Sequence, residues 1–416
     1  MWNRLLDRFL RQLVCVGSLK VTLPDGETRQ YGDGSAPEAA VTLHDPALPR
    51  RLVLDPEVAL GEAYMDGTLT IEGDDINALL ALALANMRAG NHGTWQGALA
   101  RIRDWLRVLI QYNPAGRSQS NVAHHYDLSG ALYDLFLDSD RQYSCGYFRN
   151  PDDSLEQAQA QKKAHIAAKL CLEPGLKVLD IGCGWGGMAL TLARDYGVQV
   201  LGITLSQEQL KLARERARDA GLDGQVRFEL MDYRAMTGQF DRVVSVGMFE
   251  HVGAPQFRTY FRTLRNVLAP DGLALIHTIG RSSPPGATSR WMTKYIFPGG
   301  YIPAMSEVMA AVEKEGLVPC DIEVWRLHYA ETLRHWHARF LANIERARAL
   351  YDDRFCRMWR FYLAASEESF RQAGQCVFQF QLSHDVAAAP ITRDYLYSGA
   401  PLTEITAQPA HRDAAE

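Results

Sequence analysis

The run VLDIGCGWGG at 178–187 constrains this chain of 416 residues more than any other. An apolar, strand-like stretch passes into Gly182, Gly184 and Gly186 and then into a helical pattern. Glycine lets the backbone turn tightly and lets a ligand lie close against it. A tight strand–helix turn without a ligand is the plainer alternative. A phosphate-binding loop needs Lys followed by Ser or Thr after its glycines, and no such pair follows here. Dinucleotide turns favour GxGxxG, whereas here an acid, Asp180, stands just before glycines at every second position, giving DxGxGxG.

That form resembles the adenosylmethionine-binding turn of Rossmann-like methyltransferases. The surrounding pattern agrees. Lys177–Ile181, Gln199–Thr204, Val226–Leu230, Asp241–Gly247 and Leu273–Ile279 are strand candidates, with helices such as Glu208–Ala220 and Gln256–Leu268 between them. Strands alternating with helices imply a doubly wound parallel sheet. Two late strands, Glu323–His328 and Val377–Leu382, flank Arg- and aromatic-rich helices between Glu331 and Phe370. The expected fold is α/β, a Rossmann-like class I methyltransferase with a seven-stranded sheet, six strands parallel and one antiparallel at the edge. The Pro/Gly- and aromatic-rich stretch 281–320 interrupts the alternation and is expected to cover the site and line an acyl tunnel.

In an open sheet of this kind ligands bind beyond the carboxyl ends of the strands. The second strand end reads GITLSQEQ (202–209) and has no acid for ribose hydroxyls, so Thr204 and Gln209 would supply those hydrogen bonds. Asp232 at the third strand end would face an adenine amine, or would be a helix N-cap. GMFEHVG (247–253) and LIHTIG (275–280) place Glu250, His251 and His277 at adjacent strand ends. Several polar groups gathered there point to a site.

Before residue 112 the pattern is that of a small α+β unit without a recognisable chemical site. Trp2, Leu5, Leu6, Phe9, Leu10, Leu13 and Val14 form a helical stripe that either docks on its own domain or touches a bilayer surface. VTLPDGETRQYG (21–32) reads as a hairpin, 51–73 as short strands with one helix, and Asp75–Arg88 and Gly97–Tyr112 as helices. The expected division is a first domain over 1–112, a polar linker over 113–123 and a catalytic domain over 124–416. The net charge of −5 provides no global attraction to nucleic acid or anionic lipid. Seven scattered cysteines give no zinc or iron–sulfur spacing, so no metal is expected, and they fit a reducing, cytoplasmic compartment.

HHYDLSGALYDLFLD (124–138), YSCGYF (143–148), GITLSQEQ, GMFEHVG, LIHTIG, KYIFPGGYIP (294–303) and RLHYAETLRHW (326–336) stand in the order seen in cyclopropane fatty acid synthases. The chain resembles that family over about 120–385, and more weakly through LDPEVALGEAYMDG (54–67). The resemblance implies transfer of a methylene group from S-adenosylmethionine to the cis double bond of an unsaturated phospholipid acyl chain, giving a cyclopropane. A methyl-branched or methylene product is the alternative outcome. It implies a bicarbonate ion held by Cys145, Glu250, His277, the backbone of Ile279, and Tyr329. It assigns the methyl donor to Tyr143, Ser144, Val178, Asp180, Gly182, Cys183, Gly184, Gly186, Thr204, Gln209, Tyr233 and Arg234, beside the Asp232 read from its strand end. It makes the first domain a lipid-associated one and implies peripheral contact with the inner face of the membrane. Members are often dimers.

The chemistry accounts for these residue types. An alkene is a poor nucleophile, so donor and double bond must be held in line away from water. Methyl transfer leaves a cation on carbon, which aromatic faces stabilise without trapping. Tyr143, Phe249, Trp291, Tyr295, Phe297, Tyr301 and Tyr329 are candidates, each with core or tunnel packing as its plainer role. Cys145 as a nucleophile is the less favoured reading, since no cation evidently lowers its pKa. Arg101, Arg103, Trp105, Arg107 and Leu109 form a candidate membrane patch, with interdomain packing the alternative.

Overall fold

The computed structural model describes residues 1–88 and 130–397. The predicted helix 97–112, its membrane patch and the 113–123 linker lie outside the described residues.

The first unit contains α1 (Trp2–Leu13), β1 (Ser18–Thr22), β2 (Thr28–Gly32), β3 (Glu38–Leu43), α2 (Leu48–Leu54), α3 (Pro56–Met65), β4 (Leu69–Ile71) and α4 (Ile76–Arg88). Its sheet has the order β2-β1-β3-β4. β1 and β2 form the expected antiparallel hairpin, and β3 joins β1 in parallel. α1 packs on α2 with Leu6 buried, so the amphipathic stripe docks on its own unit. The reading of 51–73 as short strands with one helix needs correction: residues 51–54 end a helix, and only β4 is a strand. A short apolar run such as RLVL suits a buried helix as well as a strand. Pro49 and Pro56 lie in the first turns of α2 and α3, where their missing N–H costs nothing.

After residue 130 come α5 (Gly130–Tyr133), α6 (Leu155–Lys169), β5 (Lys177–Ile181), α7 (Gly187–Tyr196), β6 (Gln199–Thr204), α8 (Gln207–Asp219), β7 (Val226–Leu230), β8 (Phe240–Val246), α9 (Phe257–Val267) and β9 (Leu268–Arg281). Then follow α10 (Arg290–Tyr295), α11 (Met305–Glu315), β10 (Val318–Trp325), α12 (His328–Ala342), α13 (Ile344–Leu350), α14 (Asp353–Gln372) and β11 (Gln375–Ser383). The seven strands take the order β10-β11-β9-β8-β5-β6-β7. β11 is antiparallel to both its neighbours, β9 and β10.

The antiparallel strand is therefore one place in from the edge, which corrects the expected edge position. The reason is burial. Every residue of β11 after Gln375 is buried, which requires sheet or helix on all sides, whereas six of the eight residues of β10 are half-buried or exposed, as suits an edge strand. β10 also begins earlier than the predicted Glu323–His328 and ends at Trp325, with His328 already helical. Pro319 and Asp321 read as breakers, but an edge strand tolerates them at a register shift, and one falls between these two residues.

Within 281–320, Arg281 ends β9 and α11 packs on α9 as an ordinary crossover helix. The irregular part is 282–304, broken only by the short helix α10. It reaches back to the first unit, where Trp291 fills the space left by Gly61. A Cβ there would lie 2.3 Å from the indole nitrogen. α14 packs on α3 and α4, and one hydrophobic core runs from Leu6 through Trp291 and Trp359 to Val377.

Candidate functional site

A cleft opens beyond the carboxyl ends of β5, β6 and β8. Its walls include Tyr143, Ser144, Asp180, Gly182, Cys183, Gly184, Thr204, Gln209, Asp232, Tyr233 and Arg234. The turn after β5 forms because Gly182 and Gly186 adopt φ of +82° and +85°, a region side chains disfavour. At Gly182 a Cβ would meet that of Met248 at 2.7 Å, and at Gly186 it would meet the Phe228 ring at the same distance. Gly186 thus serves helix packing rather than the cleft wall. The structure does not bring Val178 to the cleft either, because its side chain is buried in the core beneath α7.

Asp180 is buried in the cleft floor, and its Oδ2 has no hydrogen-bond partner among the described residues. Burial pushes this carboxyl up to about 7, with the charge of Lys162 acting against the shift. Thr204 Oγ1 donates to Gln209 Oε1 at 2.9 Å, leaving the Gln209 amide nitrogen toward the cleft. Asp232 accepts from the Arg234 backbone at 2.9 Å and pairs with its guanidinium at 2.6 Å, so the capping role is realised on the cleft wall. His251 also lines the cleft, and burial pushes its ring down to about 4, leaving it neutral.

The polar set at β8 and β9 is deeper. Glu250 Oε1 accepts the backbone N–H of Ile279 at 2.6 Å, so these two residues are joined directly. Glu250 Oε2 makes no hydrogen bond of normal geometry among the described residues, and burial pushes the carboxyl up to about 7, with the Ile279 N–H and the Thr278 hydroxyl acting against the shift. His277 Nδ1 lies 3.1 Å from Gln379 Nε2. With the Gln379 amide nitrogen toward Nδ1 the neutral ring carries its proton on Nε2, and with the amide oxygen toward it the proton sits on Nδ1; in both arrangements Nε2 is buried without a partner among the described residues. Burial, and then the charge of Lys162, hold the ring well below the usual histidine range. The buried Cys145 thiol lies 3.2 Å from the Gly146 carbonyl, and burial pushes it well above the usual thiol value. A thiol held protonated in this way is a poor nucleophile. Tyr329 on α12 meets Trp336 edge-on at 5.8 Å, and Tyr143 stacks on the same indole at 5.2 Å.

The family model for mycolic acid cyclopropane synthetase matches residues 115–380. The chain belongs to this family. It is an enzyme of the S-adenosylmethionine-dependent cyclopropane and lipid methyltransferases. A cyclopropane-fatty-acyl-phospholipid synthase of Escherichia coli is 38% identical, the match covering 85% of this chain and 90% of that one. A tuberculostearic acid methyltransferase of Mycobacterium tuberculosis is 34% identical over 91% of this chain and 90% of its own. The crystal structure of a mycolic acid cyclopropane synthase complexed with SAH and CTAB superposes with a TM-score of 0.61. It is 32% identical and covers 65% of this chain and 99% of that one. A second model, a domain of unknown function, matches residues 5–92.

The family's aromatic candidates separate cleanly here. Phe249 stacks on Phe257 within the core, Tyr301 donates to Glu307 at 2.6 Å, Tyr295 donates to Glu62 at 2.7 Å, and Trp291 fills the seam at Gly61. Those four pack. Tyr143 and Tyr329 share a cluster with Trp336, and Tyr143 meets Tyr362, which faces Phe297 at 5.8 Å. Sequence reasoning missed Lys162, Gln159, Tyr362 and Gln379. The signal for the first two was a helix, α6, whose polar residues recur at helical spacing, but such a stripe ordinarily faces solvent. Gln379 and Gln381, polar residues inside the apolar run of β11, were a readable sign of a buried polar partner.

Proposed function

We propose that this enzyme methylates the cis double bond of an unsaturated phospholipid acyl chain and closes the product to a cyclopropane. The observation that carries this reading is the pair of buried, unpartnered polar atoms, Glu250 Oε2 and His277 Nε2, beside a donor cleft with an unpartnered Asp180. A buried polar atom left without a partner costs roughly 1–3 kcal/mol, and an acceptor and a donor left so at adjacent strand ends, where this fold binds ligands, suit a bound ion. The ammonium group of S-adenosylmethionine suits Asp180. A small hydroxylated anion suits the other two atoms, since Glu250 accepts while His277 donates with its proton on Nε2. Bicarbonate fits this set, and Glu250, His277, Cys145 and Tyr329 are the residues that would hold it; the Ile279 N–H already donates to Glu250 Oε1, so Ile279 orients Glu250 rather than the ion. When bound it supplies a base for the proton lost from the new methyl group.

In the reaction the alkene electron pair takes the sulfonium methyl, and the sulfur keeps the bonding pair. The adjacent carbon becomes a cation, and the ring closes as the new methyl loses a proton. Tyr143, half-buried at the cleft wall, and the buried Tyr329 supply aromatic faces for the cation. The Tyr143 hydroxyl stays protonated, because burial raises its pKa well above the usual value.

Among the described residues no helix is long and apolar enough to cross a membrane. We take the enzyme to work from the cytoplasm on the inner face of the membrane, as a peripheral protein and a homodimer. Flotation with vesicles and sedimentation check these two points. The reaction is tested by incubating the protein with S-adenosylmethionine and unsaturated phospholipid vesicles and analysing the acyl chains. A mass gain of one CH₂ unit that co-elutes with a cyclopropane standard is expected. Co-elution with a branched standard would favour the methyl-branched alternative, and no gain would refute both.

A further inference from the structure

Two lysines of α6 are fully buried, and their surroundings differ. Lys169 has carboxylates beside it, Asp321 at 3.1 Å and Glu323 at 2.5 Å. Lys162 has no carboxylate within ion-pair distance among the described residues. Its ammonium donates to two neutral oxygens, Gln142 Oε1 at 2.7 Å and Ser144 Oγ at 2.8 Å. Burying an ammonium without a contacting counter-ion costs several kcal/mol, even after relaxation. Burial pushes this amine down to about 8, with Asp138 acting against the shift, so it remains charged at neutral pH.

The two acceptors flank Tyr143 and precede Cys145. One turn back on the same helix face, Gln159 Nε2 donates to the Ser144 carbonyl at 2.8 Å. A Cβ on Gly146 would lie 3.0 Å from the Ala158 methyl, so the loop and this helix face are in close contact. The helix therefore splints a loop that carries donor contacts on one side and the Cys145 thiol on the other. The charge of Lys162 acts on Asp180 in the donor cleft and on Cys145 and His277 at the reaction end. A lone cation here would oppose the positive charge that develops on the acyl carbon. An anion bound between them offsets it.

We propose that Lys162 is a positioning residue that fixes the 142–145 loop through its two hydrogen bonds and supplies the positive potential that holds the reaction-end anion. The second half of this proposal rests on the anion-assisted reading given above; the first half does not.

The test compares two variants of the full chain. Lys162→Gln keeps a donor and removes the charge, whereas Lys162→Met removes both. S-adenosylmethionine affinity is measured by calorimetry, and bicarbonate affinity by the midpoint of the thermal shift as bicarbonate is titrated. Bicarbonate half-saturation of activity and kcat are measured alongside. Lys162→Gln should bind S-adenosylmethionine within about threefold of wild type and need at least tenfold more bicarbonate by both readouts. Lys162→Met should also lose at least fivefold in S-adenosylmethionine affinity. Bicarbonate constants unchanged in both variants would overturn the electrostatic role, and unchanged donor affinity in Lys162→Met would overturn the positioning role. A lower Tm with both constants unchanged would show a merely structural lysine. If Lys162→Met does not fold, Gln142→Met removes one acceptor and tests the loop instead, with the same threshold for donor affinity. If wild type makes no methylated lipid, the proposed reaction fails, and the calorimetric arm still decides the positioning role.

Discussion

The donor cleft draws its walls mostly from short runs that end neighbouring strands: 180–184 after β5, 204–209 after β6 and 232–234 after β7. The reaction end draws Cys145, Glu250, His277, Ile279 and Tyr329 from a loop, a short helix, one strand and a late helix. The two differ in their polar bookkeeping as well. In the cleft, Thr204 pairs with Gln209 and Asp232 with Arg234, whereas Asp180 Oδ2 has no partner among the described residues. At the reaction end an acceptor and a donor, Glu250 Oε2 and His277 Nε2, are both buried and unmatched. A preformed, satisfied pocket binds a ligand at low cost. An unsatisfied one is held in place by the surrounding fold until a ligand completes it.

Glu250→Ala breaks the comparison most sharply. It should lower kcat by about 10²–10⁴-fold, the range associated with losing a proton-transfer group, while calorimetry shows S-adenosylmethionine bound within about threefold of wild type. Equal loss of both would show one site rather than two. Gly186→Val acts at the other end. Its Cβ would meet the Phe228 ring at a positive φ, so a stability loss of roughly 1–3 kcal/mol from backbone strain is expected, with donor affinity down at least tenfold. Urea unfolding and calorimetry check the two effects.

A smaller effect concerns pH. Burial raises both Asp180 and Glu250 to about 7 from ordinary values of 3.8 and 4.5. Protonated carboxyls are favoured in the folded protein, so this contribution to stability is present below the ordinary values and is lost as pH rises through about 7. His251 and His277, held neutral by burial, act in the opposite sense, so relative to an Asp180→Asn, Glu250→Gln double variant the Tm should fall by a few degrees between about pH 5 and about pH 8. Saturating S-adenosylmethionine should reduce that fall, because its ammonium pairs Asp180, whereas a Glu250→Gln background should remove the other half. The smallest effect is expected of Cys145→Ser. A protonated, buried thiol that donates a hydrogen bond is replaced by a hydroxyl that can do the same, so activity should stay within about tenfold. Complete loss would restore the nucleophile reading.

The contrast between the two ends also explains what was legible in the sequence. The donor end could be read physically because its glycines and strand-end residues are contiguous and each has a backbone reason to be there. Val178 and Gly186 were assigned to the ligand because adjacency in a motif does not separate wall from foundation. At the reaction end Glu250 and His277 could be read from their places at adjacent strand ends, whereas Cys145 and Tyr329 were assigned only through resemblance, since they lie far away in sequence. Lys162 was invisible for a related reason: a lysine on a helix is ordinarily a surface residue, and only the packed loop at 142–146 makes it an interior one. The place of β11 inside the sheet could have been inferred, since a strand with glutamines at 379 and 381 among aromatic residues needs partners on both sides.

The seam at Gly61 and Trp291 has a practical consequence. The chain between residues 88 and 130 joins two halves that already share an interior. A protease nick in that stretch should therefore leave two fragments that co-elute under native conditions and part only in denaturant. The first unit is thus less an appendage on a tether than a missing face of the catalytic body, and trimming it away would strip solvent protection from Trp291 and Phe361 rather than free an independent enzyme.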